Sequence, residues 1–339
     1  MEDRLVFLIG SPRSGSTLLA RMLGAHSAVH APAEPHLVTP LAHLGYYASV
    51  EKAPYDPFIT QQAMHELVGA LPHGEADYLD ALRACCDVLY GRLLEASGRK
   101  RLLDKTPAYA LVLDFLAKLY PRAKYVVLTR QPIAVWSSYV QSFFDGDHEV
   151  AHAHNPLLER YVPAIARFLR EQPVPLVHVR YENVVRAPAE ELERVCGFLG
   201  LPFEPGMVEY GKDERAQGPA AKGLGDPITV AKESRPTTKS IARWAQEMAG
   251  DAGKVDQARR ILASLADEDL ATWGYERAAI ARDLDGVPTD PASRPRKPSS
   301  WNRYALERRL LVRLRRNIHH NAFGRLVRGV RFACDVLLR

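Results

Sequence analysis

The sequence predicts an α/β fold of three layers, with a central parallel sheet flanked by helices, followed by a C-terminal basic helical tail. Three observations carry that expectation. Short apolar runs alternate with stretches of helical periodicity through the first 200 residues, the pattern of strand–helix–strand units. A glycine-bearing turn joins the first apolar run to the first helix, an architecture that presents backbone N–H groups and a helix dipole to anions. Charge is also segregated. The net +5 conceals a tail, residues 294–339, with 13 Lys/Arg against Glu307 and Asp335, so the preceding residues are net acidic.

Taken in order, Leu5 to Ile9 reads as a buried strand and Leu18 to Leu23 as an amphipathic helix behind it. His30 to Leu37 is broken by Pro32 and Pro35 and cannot be regular helix. Residues 57–98 carry helical periodicity interrupted by Pro72, with an apolar stripe of Ala81, Leu82, Cys85, Leu89, Leu93 and Leu94. Arg101 to Asp104 is a short strand closed by Lys105-Thr106-Pro107. Ala108 to Tyr120 reads as one helix that buries Leu111, Leu113, Phe115, Leu116 and Leu119. Lys124 to Thr129 is the strongest strand and leads into a helix from Ile133 to about Phe144. Further helices are expected at 155–171 and at Ala189–Leu199, on either side of a strand at Pro175–Tyr181. The stretch 205–236, rich in Gly, Pro, Lys and Asp, reads as a long loop. Helices from about Thr238 and from Val255 to Leu270 bring the fold to Trp273-Gly274-Tyr275. The expected units are a domain at 1–284, a Pro-rich linker at 285–300 and a basic amphipathic tail at 301–339.

A chain of 339 residues with 47% apolar and 25% charged content can bury one large core. It has no run of 18 apolar residues, so no membrane-spanning helix is expected. A strand that starts near residue 4 leaves no room for a secretory leader. Cys85, Cys86, Cys196 and Cys334 have neither metal-ligand spacing nor the look of a disulfide framework. The expectation is a metal-free protein of a reducing cytoplasm.

The first turn is Gly10-Ser11-Pro12-Arg13-Ser14-Gly15-Ser16-Thr17. It fits the P-loop pattern G-x-x-x-x-G-K-[ST] at every position except 16, where serine replaces the lysine of a nucleoside triphosphatase. The cation lies inside the loop instead, at Arg13. This segment resembles the first loop of the PAPS-dependent sulfotransferases, which reads P-R-S-G-[ST]-[ST]-L. The resemblance implies a P-loop-like fold in which Arg13, Ser14, Gly15, Ser16 and Thr17 grip the 5′-phosphosulfate of 3′-phosphoadenosine-5′-phosphosulfate (PAPS). Arg130-Gln131-Pro132 with Ser138 matches the family's R-x-P-x-x-x-x-x-S, which binds the 3′-phosphate; a guanidinium fork suits that group. Asp104-Lys105-Thr106-Pro107 resembles the D-K-[ST]-P of bacterial and tyrosylprotein sulfotransferases. There the lysine contacts the transferring sulfuryl group, so Lys105 would replace the charge missing from the loop.

An attacking hydroxyl must lose its proton to a nearby base. In tyrosylprotein sulfotransferases and the sulfotransferase domains of alkene-forming polyketide synthases, an acid follows the first loop in a short turn. Here that turn is Pro32-Ala33-Glu34-Pro35-His36, with Glu34 standing 21 residues after Arg13 as in the tyrosylprotein group. Glu34 is the candidate base, His36 the alternative and His30 a weaker one. Tyr181, in Val179-Arg180-Tyr181-Glu182-Asn183-Val184-Val185, matches the family's R-Y-E-D-L and would lie near the adenosine. Lys232, Ser234 and Arg235 are candidates for the last donor contacts, although Lys232-Glu233 stands where the polyketide-synthase group carries Lys-His.

The resemblance covers residues 4–275 and implies an enzyme of EC 2.8.2 type that transfers the sulfuryl group of PAPS, without a metal, to a small-molecule, lipid or carrier-bound hydroxyl. Three alternatives stand beside it. One is a P-loop kinase or NTPase-like phosphate-transfer enzyme, against which Ser16 argues. The second is a tyrosyl- or sugar-directed sulfotransferase, and the third a non-catalytic docking protein. In the tail, Leu306, Leu310, Leu314 and Ile318 fall at helical spacing among Arg308, Arg309, Arg313, Arg315 and Arg316. That pattern suits an anionic membrane surface or an acidic protein. Nucleic acid as a partner is disfavoured by the lack of interleaved aromatic platforms. The expected location is cytoplasmic, with the tail placing the protein at the membrane periphery.

Overall fold

The computed structural model describes residues 1–48, 57–212 and 234–289. Five strands form one parallel sheet: β1 (Leu5–Gly10), β2 (Val29–His30), β3 (Arg101–Asp104), β4 (Lys124–Thr129) and β5 (Leu176–Arg180), in the order β2-β3-β1-β4-β5. The central strands are apolar without alternation because both of their faces are covered. On one face Leu5, Phe7 and Ile9 of β1 join Tyr125 and Val127 of β4, and on the other Val6 and Leu8 join Val126 and Leu128. Every one of these side chains is fully buried. Such burial stabilises the fold by roughly 1.5–3 kcal/mol per large side chain.

The helices follow from the intervening sequence: α1 (Ser16–Gly24), α2 (Val38–Ala42), α3 (Pro57–Gly69), α4 (Glu75–Ser97), α5 (Leu113–Leu119), α6 (Pro132–Phe144), α7 (His148–His154), α8 (Leu157–Glu171), α9 (Tyr181–Arg186), α10 (Pro188–Leu199), α11 (Arg243–Met248), α12 (Ala252–Ser264), α13 (Asp267–Trp273) and α14 (Arg277–Asp285). α1, α9 and α10 cover the Val6/Leu8 face, and the larger helical layer from α4, α5, α6, α8 and α12–α14 covers the other. β1 leads through α1 to β2 on one side, whereas β3 leads to β4 on the other. The chain therefore switches direction beside the carboxyl end of β1, and a crevice opens there.

Several expected elements are corrected. The run 57–98 is two helices, because the chain turns at 70–74 around Pro72 and a positive-φ Gly74. The buried stripe of α4 is Tyr78, Leu82, Cys86, Tyr90 and Leu94, while Cys85, Leu89 and Leu93 are exposed. Leu82 and Leu94 are buried as expected, while the other positions shift by one residue because tyrosines supply two of the five. Residues 108–120 split into a 3-10 turn at Pro107–Leu111 and α5, which leaves Leu111 at the surface. The helix expected over 255–270 divides at Leu265-Ala266 into α12 and α13. The fold also continues past Tyr275: α14 buries Ile280 and Leu284, and Gly250 N–H donates to Pro288 O at 2.8 Å. Within the long loop expected at 205–236, residues Pro205–Lys212 are largely 3-10 helical. The linker beyond residue 289, the tail at 301–339 and Lys232 lie outside the described residues. Among the described residues no helix is long and apolar enough to cross a membrane.

Candidate active site

The loop after β1 owes its shape to two glycines. A Cβ on Gly10 would lie 2.7 Å from Ser14 Oγ and 3.1 Å from Leu128 O, so only glycine lets the chain fold back beside β4. Gly15 has φ +95°, and a Cβ there would lie 2.3 Å from the Tyr181 ring, which packs directly on the loop. Between them Ser14 N–H donates to Ser11 O at 3.1 Å, and Arg13 adopts the left-handed region at φ 68°, a conformation rare for a bulky residue. Gly15 caps α1 without a side-chain hydrogen bond. The first-turn amides of Ser16, Thr17 and Leu18, which have no carbonyl one turn back, are left for a ligand at the cleft.

The second wall comes from β4 and α6. Arg13 Nε donates to Ser138 Oγ at 3.1 Å, joining the two expected anchors. Arg130, buried at the end of β4, donates from Nη1 to Arg13 O (3.1 Å) and from Nη2 to Ser240 O (2.8 Å). Its guanidinium also lies 4.4 Å from the Tyr181 ring centroid. Arg130 Nε has no partner, and no carboxylate lies within ion-pair reach of this side chain among the described residues. Burial pulls its pKa below the ordinary guanidinium value, partly opposed by Tyr181 and Glu182. A buried cation held, among the described residues, by two carbonyls and a ring is the environment an anionic ligand completes.

The third wall joins β3 to the turn after β2. Lys105 is buried beneath the cleft, where Nζ pairs with Glu34 Oε1 and donates to Thr17 Oγ1 at 3.3 Å. Glu34 is itself 12% exposed, and its other oxygen lies 3.4 Å from Nε2 of the more exposed His36. The three loops that follow β1, β3 and β4 thus open onto one crevice of about 650 Å³, lined by Arg13, Gly15, Ser16, Thr17, Glu34, His36, Arg130, Ser138, Tyr181 and Arg235 among others. That is room for a nucleotide-sized ligand.

Some candidates sit elsewhere. Ser14 is buried under the loop with its hydroxyl unpartnered, and Ser234 is exposed, its carbonyl accepting from Gly211 N–H at 3.2 Å. His30, half-buried on β2, has its pKa lowered by burial and by Arg99. Sequence reasoning named Arg235 but missed the rest of the strap 235–247. It brings Arg235, Lys239 and Arg243 to the cleft at four-residue spacing, a periodicity that could have revealed it. Tyr181 OH lies 2.5 Å from Ser240 Oγ, and Ser137 Oγ donates to Glu247 at 2.6 Å, fastening the strap to α9 and α6.

Known proteins resemble the chain over this same region. It is 28% identical over 297 residues to the nodulation protein NoeE of Sinorhizobium fredii, covering 81% of this chain and 66% of that protein. The chain thus spans just under two thirds of that relative's length. It is 25% identical over 213 residues to a putative protein-tyrosine sulfotransferase of Caenorhabditis briggsae, covering 61% of this chain and 69% of that one. Among solved structures, the sulfotransferase domain from the curacin biosynthetic pathway superposes with a TM-score of 0.53 at 25% identity, covering 80% of this chain and 97% of that domain. The sulfotransferase domain of the Synechococcus PCC 7002 olefin synthase shares the fold, with a TM-score of 0.51 at 23% identity over 76% and 92% of the two chains. A profile described as the sulfotransferase family matches residues 6–205, from β1 through the Lys105, Arg130 and Tyr181 segments. The chain belongs to the sulfotransferase family.

Proposed function

We propose that this sulfotransferase uses PAPS as its donor and transfers the sulfuryl group to a neutral hydroxyl of a small-molecule, lipid or carrier-bound acceptor, without a metal. The observation that carries the reading is Arg130, a buried cation with no carboxylate partner among the described residues, set beside the open amides of α1. Those two features fit the two ends of the donor. The 3′-phosphate would take Arg130 and Ser138, and the phosphosulfate would take Arg13, Gly15, Ser16 and Thr17. Tyr181 would flank the adenosine, with Arg235 on the strap and Lys232 beyond the described residues as further contacts.

Glu34 accepts the proton of the acceptor hydroxyl. The oxygen then forms a bond to sulfur as the bond from sulfur to the 5′-phosphate oxygen breaks, giving a sulfate ester and PAP. Lys105 and the loop amides hold the charge on the sulfuryl oxygens and the departing phosphate. In the described state Lys105 is held by Glu34 and Thr17. An incoming phosphosulfate gives that ammonium an anionic partner and leaves Glu34 available to the acceptor. His36 is the second reading for the base, favoured by its 3.4 Å approach to Glu34 and its greater exposure.

The curacin-pathway likeness supports a biosynthetic small-molecule or carrier-bound acceptor, and the protein-tyrosine sulfotransferase likeness keeps a tyrosyl hydroxyl as the other class. A sugar hydroxyl is the third. A cytoplasmic location with the tail at an anionic membrane surface or an acidic protein completes the proposal; it rests on the tail's charge and apolar spacing. Incubating the enzyme and a cell extract with isotopically labelled PAPS, followed by mass spectrometry, tests it. Label in a covalent sulfate ester is expected, and label recovered only as unreacted donor and free sulfate would refute the transfer.

A further inference from the structure

Asp104 precedes Lys105 in the chain, and its side chain has 0% exposure and does not line the cleft. It accepts from three hydroxyls: Tyr90 (2.6 Å), Tyr109 (3.0 Å) and Thr106 (3.0 Å). Two of these hydroxyls receive a backbone amide in turn. Tyr109 OH accepts from Val38 N–H at 3.1 Å, and Thr106 Oγ1 accepts from His36 N–H at 3.4 Å. Two relays thus run from one buried carboxylate to the segment that carries Glu34 and His36.

That segment needs holding. It contains Pro32 and Pro35, lies between the two-residue β2 and the five-residue α2, and includes His36 at φ 52°. A left-handed histidine costs on the order of 1 kcal/mol and persists only where its surroundings enforce it. Beyond the two relays, the segment is tied to β3 through the Glu34–Lys105 pair.

We infer that Asp104 is a positioning residue for the sulfuryl-transfer site: through Tyr109 and Thr106 it fixes the 34–38 turn, and with it the base, against Lys105 on the same strand end. One carboxylate orders both halves of the catalytic pair, the lysine by chain adjacency and the glutamate by the two relays. The strand end bearing the cation and the turn bearing the base then keep a fixed separation when the donor breaks the Lys105–Glu34 contact. The inference rests on the proposed role of this turn as carrier of the base.

Hydrogen exchange of the full chain, with and without PAP, combined with labelled-PAPS transfer, tests it. Thr106→Val and Tyr109→Phe each cut one relay at nearly constant volume, and the double variant cuts both. Each single variant should speed exchange of its own relayed amide, His36 or Val38, roughly tenfold. The double variant should loosen both amides and lower transfer roughly 10–100-fold, as loss of supporting groups does elsewhere. Exchange across β3 and α4 should stay at wild-type rates, and PAP should still protect residues 10–18. Asp104→Asn, whose amide cannot accept at both oxygens, should behave like one of the single variants.

Wild-type exchange at 36–38 in the double variant overturns the inference. So does faster exchange spread equally through 75–104, which is the mark of a merely structural network, and so does wild-type transfer from a loosened turn. If PAP fails to protect residues 10–18 in the wild-type chain, the donor reading fails separately, whatever the turn does.

Discussion

Lys105 and Glu34 are paired, and the proposed mechanism requires them to separate when the donor binds, a conflict that gives the sharpest predictions at the scale of single residues. Both side chains are largely buried, so removing one leaves the other as an uncompensated charge, a cost of about 3–5 kcal/mol. Lys105→Met should therefore lower the melting temperature as well as abolish transfer. Adding Glu34→Gln should restore the melting temperature but not the activity, which thermal melts and labelled-PAPS assays separate. Glu34→Gln alone should cut transfer by roughly 10²–10⁴, as loss of a general base does, while PAP affinity holds or improves. If His36→Asn produces that loss and Glu34→Gln does not, the base is the histidine. Arg130→Lys keeps a charge but loses the fork that reaches Arg13 O and Ser240 O, so it should lose most of the PAP affinity by calorimetry.

Among the elements, the loop–helix unit of β1 and α1 is held in shape by what presses on it. Gly15→Ala would combine a positive φ with a Cβ driven into the Tyr181 ring. A stability loss of about 1–3 kcal/mol and loss of the PAP-induced melting shift are expected, with circular dichroism reporting an otherwise intact fold. How much was legible in the sequence follows the same division. The loop, β3, β4 and α6 were readable because their chemistry is local: a glycine turn, apolar runs, a Pro-opened helix. The Glu34 turn was readable from its prolines and its distance from Arg13. The break at Leu265-Ala266 was invisible because the apolar spacing continues through it, and the α4 stripe was partly misplaced because Tyr78 and Tyr90 bury rings by hydrogen-bonding their hydroxyls or stacking. Beyond Arg235, the strap 235–247 shows locally only the four-residue spacing of its basic residues; what fixes it at the site is tertiary, Ser240 with Arg130 and Tyr181 and Glu247 with Ser137.

For the molecule as a whole, the buried Asp104 and the half-buried His178 give opposite pH slopes. Burial raises the Asp104 carboxyl to about 6, against the hydrogen bonds that pull it down. Because that pKa is raised on folding, its contribution is fully present only below the unfolded value of 3.8 and is lost as pH climbs through 6. Burial, helped by Arg180 and Arg194, lowers His178 to about 4, so its contribution is present above pH 6.5 and is lost as pH falls toward 4. The two contributions oppose each other between pH 4 and 6. Denaturant melts across that range should show the stability of Asp104→Asn rising more steeply with pH than that of the wild type, and the stability of a His178→Gln variant rising less or falling.

Melting the full chain with PAP and, separately, with Mg·ATP asks whether the buried Arg130 and the lysine-free loop make a site for a 3′-phosphorylated sulfate donor. PAP at a hundredfold excess over its Kd should add about 2.7 kcal/mol of apparent stability and raise the melting temperature by several degrees, and Mg·ATP should leave it unchanged. Stabilisation by Mg·ATP alone would contradict the account.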